Sequence, residues 1–371
     1  MRAAILHDFE RGPVLEEVTV EAPRAGEVLV RLAASGVCGS DVHAVHGRAN
    51  VLKNMPMVLG HEGAGVIEEV GPGIADLKRG DHVVIAMYGP CGICGTCSSG
   101  KLHFCEGPEM RSVYGEMPDG STRLSLGGAP AYPFVGVGSM AEYAVVRRSM
   151  IVKVKPDLPL DTLCITACAL TTGLGAVFNV ADIRPGATVA VIGCGGVGMS
   201  VIQGARIAGA SRIIAIDRNP AKLNLAADLG ASHCLTAGED GAETIAAVKR
   251  IVPRGVDYAF EVVGSKTLIQ QALAMTARGG AVVMIGVVPW GEDIAINAGL
   301  MFDRRLLGCL GGHNIPGREI PRIIDLYETG RLKLDELVGH KYPLSDIRAA
   351  FANAERAEDI RTVVTIDPRL L

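Results

Sequence analysis

The chain has 371 residues, with 36 basic and 40 acidic side chains and a formal net charge of −4. This length exceeds the size at which one hydrophobic core keeps growing, and 49% hydrophobic residues are enough for two domains. No run of basic residues resembles a nucleic-acid-binding stripe, so we expect a small-molecule substrate and no nucleic-acid partner.

The N-terminal segment argues against export. Charges at Asp8, Glu10 and Arg11 precede any apolar stretch of signal-peptide length. Uncharged stretches at 162–181 and 185–205 are as long as a membrane span, but glycines and polar residues interrupt both. The ten cysteines suit a reducing compartment, where thiols bind metals and do not form disulfides. We therefore predict a cytoplasmic protein with no membrane partner.

Residues 1–160 contain short β-branched runs that end in Gly, Pro or Asp. The clearest runs are LVRLAAS (29–35), GAGVIEEVG (63–71), DHVVIAMY (81–88) and AEYAVV (141–146). Such runs are typical of strands joined by tight turns. The first part of the chain is therefore predicted to be a β-rich, barrel-like domain.

Four cysteines interrupt this domain as C-x2-C-x2-C-x7-C, at Cys91, Cys94, Cys97 and Cys105. Four thiolates at about 2.3 Å complete a tetrahedral zinc shell and leave no position for water. We therefore predict a structural zinc site, with an iron–sulfur cluster or disulfides as the alternatives. The chemistry must lie elsewhere in the chain.

From about Arg184 strands and helices alternate, which predicts a parallel sheet covered on both faces. One helix is expected from Asn219. After Gly311 the chain is predicted to form a helix and short strands and to return to the first domain. The predicted sheet has six strands: TVAVIG (188–193), RIIAID (212–217), HCLTA (233–237), DYAFEV (257–262), AVVMIGVV (281–288) and RLLGCL (305–310).

The first of these strands runs into a glycine-rich turn, and a helix follows from about Gly196. The turn has the pattern G-x-G-x-x-G, as Gly193-Cys194-Gly195-Gly196-Val197-Gly198. Its glycines let the backbone and the helix N-terminus approach a pyrophosphate, which predicts a dinucleotide-binding site.

Asp217 ends the next strand, where its carboxylate can accept hydrogen bonds from an adenosine ribose. A carboxylate there repels a 2′-phosphate, so NAD is favoured over NADP. Arg218 beside it keeps NADP open as an alternative. Lys222, one helical turn further on, either reaches the ribose hydroxyls or is a solvated surface lysine.

Further motifs precede the dinucleotide fold. They are Cys38-Gly39-Ser40-Asp41-Val42-His43, Gly60-His61-Glu62-Gly63 and Cys168. Together with the four cysteines and the glycine turn, in this order and spacing, they make the chain resemble a zinc-dependent alcohol dehydrogenase of the medium-chain dehydrogenase/reductase superfamily over essentially its whole length.

The resemblance implies an α/β fold with two domains. A GroES-like β-rich catalytic domain is expected at 1–168 and 312–371 and carries both zinc sites. A Rossmann domain with a doubly wound parallel sheet is expected at 169–311.

The resemblance also implies a catalytic zinc held by Cys38, His61 and Cys168, with a fourth position open to water or substrate alcohol. Two zinc ions per chain are therefore expected. Asp41 is expected to orient His61, and Glu62 to approach the metal during ligand exchange.

By the same resemblance Ser40 matches the hydroxyl that accepts the substrate proton. His43 matches the histidine at the end of a proton relay through the ribose, although it could be an ordinary surface histidine. The family often has a basic residue after the first zinc-binding cysteine, where it meets the pyrophosphate, but Gly39 is present here. Arg361 matches another basic residue near the pyrophosphate, and Val287 is expected beside the cofactor.

Residues 106–138 resemble the larger dimeric members of the family, which include the glutathione-dependent formaldehyde dehydrogenases. The segment 46–57, however, has Arg48, Asn50 and Lys53 and no carboxylate to hold the amino group of glutathione. We therefore predict an NAD-dependent oxidation of a primary alcohol, aromatic or medium-chain, by a homodimer, with a tetramer as the alternative.

An S-(hydroxymethyl)glutathione or formaldehyde dehydrogenase is the alternative activity. A zinc- and dinucleotide-binding relative without catalysis is the other alternative. Four residues are expected in or near the substrate pocket, namely Met87, Tyr88, Trp290 and Leu310.

Overall fold

The computed structural model describes residues 1–48, 53–238, 241–289 and 291–371. Asn50 and Trp290, named above, lie outside the described residues. The contacts separate into two compact units. The first unit comprises Met1–Cys168, Ile315–Glu328 and Leu334–Leu371, and the second comprises Ala169–Asn314 and Thr329–Lys333.

Strands are the main regular elements in the N-terminal part of the first unit. Its strands are β1 (Arg2–Leu6), β2 (Val14–Glu17), β3 (Thr19–Val20), β4 (Glu27–Val37), β5 (Met57–Val58), β6 (Glu62–Val70), β7 (His82–Ile85), β8 (Leu124–Leu126), β9 (Ala129–Pro133), β10 (Tyr143–Arg147) and β11 (Ile151–Lys153). Its α-helices are short: α1 (Gly39–Val45), α2 (Gly95–Ser98) and α3 (Leu160–Leu163). Single 3-10 turns lie at Leu102–Phe104, Pro108–Tyr114, Phe134–Gly136, Arg148–Met150 and Cys164–Ala167.

The second unit alternates strands and helices. Its helices are α4 (Ala169–Gly175), which continues as a π-helical turn at Ala176–Ala181, α5 (Gly196–Ile207), α6 (Pro220–Leu229), α7 (Gly241–Ile251) and α8 (Lys266–Met275). Its strands are β12 (Thr188–Ile192), β13 (Arg212–Asp217), β14 (His233–Thr236), β15 (Val256–Glu261), β16 (Thr276–Met284) and β17 (Arg305–Gly308). Single 3-10 turns lie at Ala298–Met301 and Gly311–His313.

These six strands form one sheet in the order β14-β13-β12-β15-β16-β17, and every neighbouring pair is parallel. The sheet confirms the predicted Rossmann architecture. Helix α6 begins as predicted, because the Asn219 side chain accepts a hydrogen bond from the N–H of Ala221 at 2.9 Å and caps the first turn.

The bounds predicted for the fifth strand in chain order, 281–288, were wrong. Strand β16 begins at Thr276, directly after α8, and its Arg278, Gly279 and Gly280 hide that start from an apolar pattern. It ends at Met284 because the N–H groups of Ile285 and Gly286 both bind the carbonyl of Glu261 and leave the ladder.

The C-terminal part adds α9 (Pro316–Glu328), β18 (Val338–Pro343), α10 (Ile347–Arg356) and β19 (Arg361–Thr365), with 3-10 turns at Asp335–Leu337, Leu344–Asp346 and Pro368–Leu370. Strand β19 pairs antiparallel with β4, so the chain returns to the first unit as predicted. The two sheets there run β2-β1-β5-β9-β8-β3 and β11-β7-β6-β4-β19-β18, with β10 also paired to β4.

Among the described residues, no single helix is long and apolar enough to cross a membrane. The segments Leu160–Ala167 and Ala169–Ala181 meet the criteria of length and composition only as a bent pair. Leu163 and Leu170, which lie in this pair, are fully buried in the protein.

Candidate functional site

The four clustered cysteines form a compact sulfur cage in the first unit. The Sγ atoms of Cys91 and Cys97 are 3.9 Å apart, and those of Cys94 and Cys105 are 4.0 Å apart. Thiolates around one tetrahedral zinc lie about 3.8 Å apart, whereas disulfide sulfurs are bonded at about 2.05 Å. A cluster of several irons would spread the sulfurs over different metal atoms. The spacing fits a single zinc ion.

Backbone N–H groups point at this cage from tight turns. Cys94 and Ile93 donate to the Cys91 sulfur at 3.2 and 3.4 Å, and Gly107 donates to the Cys105 sulfur at 3.4 Å. A Cβ at Gly107 would lie 2.8 Å from the Cys91 sulfur, so this position admits only glycine without a shift. The Thr96 hydroxyl, 3.1 Å from the Cys94 sulfur, and the backbone groups of Cys97 and Glu106 together lower the pKa of that thiol to about 5. These contacts stabilise thiolates.

A second cluster of donors lies in the same unit. One ligand atom each from Cys38, His61, Glu62 and Cys168 lies within 4.8 Å of all the others. All four side chains are buried. Cys38 lies between β4 and α1, His61 directly precedes β6, and Cys168 follows the 3-10 turn Cys164–Ala167. Segments that are distant in sequence thus meet at one point.

Asp41 organises two of these donors. Its Oδ1 is 3.1 Å from His61 Nδ1 and also accepts the N–H of Gly60 at 3.2 Å, while its Oδ2 accepts the N–H of Cys38 at 2.9 Å. Burial acts to lower the pKa of His61, but Asp41 and Cys38 outweigh it and raise that pKa well above its usual value. With Nδ1 facing Asp41, Nε2 is the nitrogen left for a metal.

The two thiols of the cluster lie close enough to share a hydrogen bond. The Cys168 S–H donates to Cys38 and holds the pKa of the Cys38 thiol well below its usual value. Two thiolates and one imidazole neutralise a divalent cation and leave a coordination position open. The donor set therefore fits the zinc of a catalytic site.

Glu62 and Arg361 form a buried pair beside the cluster. Arg361 Nε is 3.5 Å from Glu62 Oε2, and Arg361 Nη1 donates to the carbonyl of Val37 at 3.0 Å. Burial raises the pKa of Glu62 to about 8, against the opposing effect of Arg361. A Cβ at Gly36 would overlap Glu62 Oε2, so this glycine makes room for the carboxylate.

Ser40 and His43 both lie on α1. The Ser40 hydroxyl is 4.0 Å from the Cys38 sulfur, which brings it to the donor cluster. His43 is half-buried, and burial together with the nearby Arg48 lowers its pKa. Its imidazole is therefore neutral at pH 7 and able to accept a proton.

The glycine turn of the second unit has the shape that the sequence predicted. Gly193 has a φ of +98°, and helix α5 begins at Gly196 with Gly195 as its N-cap. A Cβ at Gly198 would overlap the Gly193 carbonyl, so helix and turn pack without space for a side chain. The backbone N–H groups at this helix start are free to meet a phosphate.

Asp217 is bound to the turn itself. Its Oδ2 accepts the N–H of Cys194 at 2.7 Å, and its Oδ1 accepts the N–H of Asn219 at 2.9 Å. Arg218 is exposed, whereas Lys222 is half-buried. Val287 lies after β16 and is 60% exposed.

Two family models match the chain. Residues 24–157 match the Alcohol dehydrogenase GroES-like domain, and residues 196–329 match the Zinc-binding dehydrogenase family. The S-(hydroxymethyl)glutathione dehydrogenase of Saccharomyces cerevisiae is 36% identical over 371 residues, covering 98% of this chain and 96% of that protein. The chain belongs to the zinc-dependent alcohol dehydrogenases of the medium-chain dehydrogenase/reductase superfamily.

Solved structures of other alcohol dehydrogenases and their relatives have the same fold. Benzyl alcohol dehydrogenase from Acinetobacter calcoaceticus superposes with a TM-score of 0.91 at 31% identity, covering 99% of each chain. A putative zinc-binding dehydrogenase from Sinorhizobium meliloti 1021, bound to NADP, superposes with a TM-score of 0.78 at 26% identity, covering 98% of each chain. These comparisons confirm the predicted fold class and a zinc-dependent alcohol dehydrogenase.

In this alcohol dehydrogenase the predicted donors Cys38, His61 and Cys168 do come together, with Glu62 among them. Arg361, expected near the pyrophosphate, contacts Glu62 and Val37 in the structure. Of the residues expected near the substrate pocket, Met87 and Tyr88 are half-buried in the first unit. Leu310 is 81% exposed on the second unit.

Sequence reasoning missed Thr96, Gly107 and Gly36. A threonine two residues after a metal-binding cysteine is a readable signal, because its hydroxyl can reach the sulfur. The two glycines carry no such signal, since they are required by atoms that approach from other parts of the fold.

Proposed function

We propose that this chain oxidises primary alcohols, aromatic or medium-chain, to aldehydes and reduces NAD in the same reaction. The observation that carries this proposal is the buried set of Cys38, His61 and Cys168 donors, with the Ser40 hydroxyl 4.0 Å from one of the sulfurs. When bound there, zinc supplies Lewis acidity for the alcohol, and the dinucleotide accepts the hydride.

In this proposal Ser40 takes the proton of the alcohol and His43 receives it at the end of the relay. The lowered pKa of His43 supports this role, because a neutral imidazole can accept a proton at pH 7. Asp41 holds His61 in one orientation throughout, since its carboxylate also holds the Cys38 backbone. Glu62 stays next to the metal position, where Arg361 lies 3.5 Å from its carboxyl group and opposes the rise in pKa that burial causes.

The cofactor lies, in this proposal, against the turn formed by Gly193, Gly195, Gly196, Val197 and Gly198. Asp217 binds the ribose and favours NAD over NADP, with Lys222 as a second ribose contact and Arg218 as the residue that could admit a phosphate. Val287 covers the nicotinamide end.

A second activity, the oxidation of S-(hydroxymethyl)glutathione, is favoured by the curated relatives that carry this name, which are 36–37% identical to the chain. The residues of the segment 46–57 argue against it. Arg48 and Lys53 are cations, and the segment has no carboxylate to receive the ammonium group of glutathione. We therefore place a neutral primary alcohol first.

A panel of alcohols tests this order. NADH formation is measured with ethanol, hexanol, benzyl alcohol, and a mixture of formaldehyde and glutathione that forms the hydroxymethyl adduct. We expect kcat/KM to be highest for hexanol or benzyl alcohol. A preference for the glutathione adduct would establish the second activity, and no NADH with any substrate, despite bound zinc and NADH, would establish the relative without catalysis.

We also propose a homodimer that pairs through the edge of the second unit's sheet. Strand β17 is an edge strand of that sheet, and the exposed side chains of Phe302 (74%) and Leu310 (81%) lie on either side of it. Unpaired strand edges with apolar neighbours are suited to pairing with a second copy. Sedimentation of the wild type and of Phe302→Asp distinguishes a dimer from a monomer or tetramer.

A cytoplasmic location is part of the same proposal. No disulfide joins any of the ten cysteines, all of which lie in the described ranges, and this suits a reducing compartment.

A further inference from the structure

Glu261 is a buried carboxylate in the second unit, at the end of the central strand β15. It lies between Ile192 of β12 and Met284 of β16 in the parallel register. The glycine turn begins directly after Ile192, and the segment that leads to Val287 begins directly after Met284. Glu261 thus lies at the carboxyl ends of the parallel strands. Two segments that are proposed to contact the cofactor begin there, the glycine turn from Gly193 and the segment 285–287, and they are called the cofactor segments below.

Among the residues that the structure describes, only backbone groups bind this carboxylate. Its oxygens accept the N–H groups of Val263 at 3.0 Å, of Gly264 at 2.9 and 3.1 Å, and of Ser265 at 3.3 Å. Within the described ranges no basic side chain forms an ion pair with it. Burial raises the pKa of this carboxyl, and the N–H groups of Val263, Gly264 and Ser265, in the loop before α8, oppose that rise.

The loop held in this way touches both cofactor segments. A Cβ at Gly193 would lie 2.7 Å from Val263 Cγ2, so the Val263 side chain rests on the first glycine of the turn. A Cβ at Gly264 would overlap the Val287 carbonyl, and a Cβ at Gly286 would overlap the Gly264 N–H. The main chain of Glu261 contributes as well, because its carbonyl accepts the N–H groups of Ile285 and Gly286.

Val263 and Val287 remain 51% and 60% exposed on this edge. An apolar surface next to a phosphate-binding turn suits the flat face of a nucleotide ring. The distance between these two valines and the turn is fixed by the contacts of residues 263–265, and hence by the Glu261 carboxylate.

We propose that Glu261 is a positioning residue for the dinucleotide, which holds Val263 and Gly264 against Gly193 and Val287 so that the cofactor surface is formed before the cofactor binds. This inference rests on the proposed cofactor site and adds a residue to it that does not touch the cofactor. Preformed surfaces bind more tightly because less ordering remains to be done on binding.

Glu261→Gln tests the proposal, because it keeps the shape and turns one acceptor oxygen into an NH2 group that faces N–H donors. We expect the NADH dissociation constant, from fluorescence titration, and the KM for NAD to rise about tenfold. The KM for the alcohol and the zinc content should not change. An unchanged dissociation constant would overturn the proposal.

Asp257→Asn is the matched control. Asp257 lies four residues earlier on the same strand, and its carboxylate accepts the backbone N–H and the hydroxyl of Thr188 at 2.9 and 2.8 Å. This variant should lose stability to a similar extent while NADH affinity stays within about twofold. An equal loss of NADH affinity in both variants would show a general effect of stability and overturn the proposal.

Two further measurements keep the test decisive. If Glu261→Gln does not fold, Gly264→Ala displaces the same loop and retains the carboxylate, and NADH affinity equal to that of the wild type would then refute the proposal. Hydrogen exchange of the amides 263–265 without cofactor should be slow in the wild type and fast in Glu261→Gln. If the wild type binds no NADH, the proposed cofactor site fails, and slow exchange would then show only a structural role for Glu261.

Discussion

The first unit builds two metal-binding clusters in opposite ways. The sulfur cage of Cys91, Cys94, Cys97 and Cys105 takes all its donors from fifteen consecutive residues, with backbone N–H groups as neighbours. The second cluster, called the mixed cluster below, consists of Cys38, His61, Glu62 and Cys168. Its donors come from distant positions in the chain, and buried charged side chains surround them. A closed shell needs only local turns, whereas a shell with an open position needs a fold around it.

The two clusters also differ in how the charge around the metal position is balanced. Four thiolates exceed the charge of a divalent ion, and N–H groups together with solvent absorb the excess at the sulfur cage. Ile93, beside it, is 86% exposed. In the mixed cluster two thiolates match the ion. Two further buried acids have partners of their own, since Asp41 binds His61 and Glu62 is paired with Arg361. A buried centre must be balanced internally, because water cannot do it.

The largest effect is expected from Cys168→Ala. It removes one of three donors from the mixed cluster, so turnover should fall by more than about 10³-fold and the zinc content should fall from two ions to one. Elemental analysis, alcohol oxidation and thermal unfolding measure this. Because the sulfur cage is untouched, the unfolding temperature should change little.

Cys97→Ser removes one of the four donors of the sulfur cage. The variant should also hold one zinc ion instead of two, but the main loss should be more than about 2 kcal/mol in the free energy of unfolding, because structural zinc contributes to folding. Denaturant titration and activity per folded molecule measure this. If Cys97→Ser and Cys168→Ala lost only activity, the contrast between the two clusters would be wrong.

The proposed proton path sharpens the comparison, because it begins at the mixed cluster. Ser40→Ala should slow alcohol oxidation more than His43→Gln, which should lose roughly 10²-fold or less, and most strongly below about pH 7. Below that pH hydroxide is too scarce to replace the imidazole side chain, so added imidazole buffer, which is still partly neutral there, should rescue His43→Gln and not Ser40→Ala. Equal losses, independent of buffer and pH, would remove His43 from the path.

The smallest effect is expected outside both clusters, at Asp217. Asp217→Gly should shift the ratio of NAD to NADP use by about 1–3 kcal/mol toward NADP, since Arg218 remains to pair with the phosphate. Because Asp217 also binds the N–H of Cys194, NAD use should weaken in absolute terms. Asp217→Asn, which retains an acceptor for the turn, is the control. A wild type that prefers NADP would contradict this assignment.

The donors of the two clusters could be predicted from the sequence to different extents. The sulfur cage follows from spacing alone, because its donors are neighbours in the chain. The mixed cluster required the resemblance to a family, since nothing local connects Cys38 with Cys168. The ion pair of Glu62 and Arg361, the space left by Gly36 and the contacts of Glu261 depend on tertiary packing that no periodicity encodes. The same limit explains why the start of β16 was missed.

The carboxylate of Asp41 has a consequence for the evolution and redesign of this centre. One oxygen fixes the imidazole of His61 and the other fixes the backbone that presents Cys38. If only one of these two donors is changed, Asp41 still holds the other donor in its present position. The three residues therefore form one geometric unit, and a redesigned metal preference would require replacing them together.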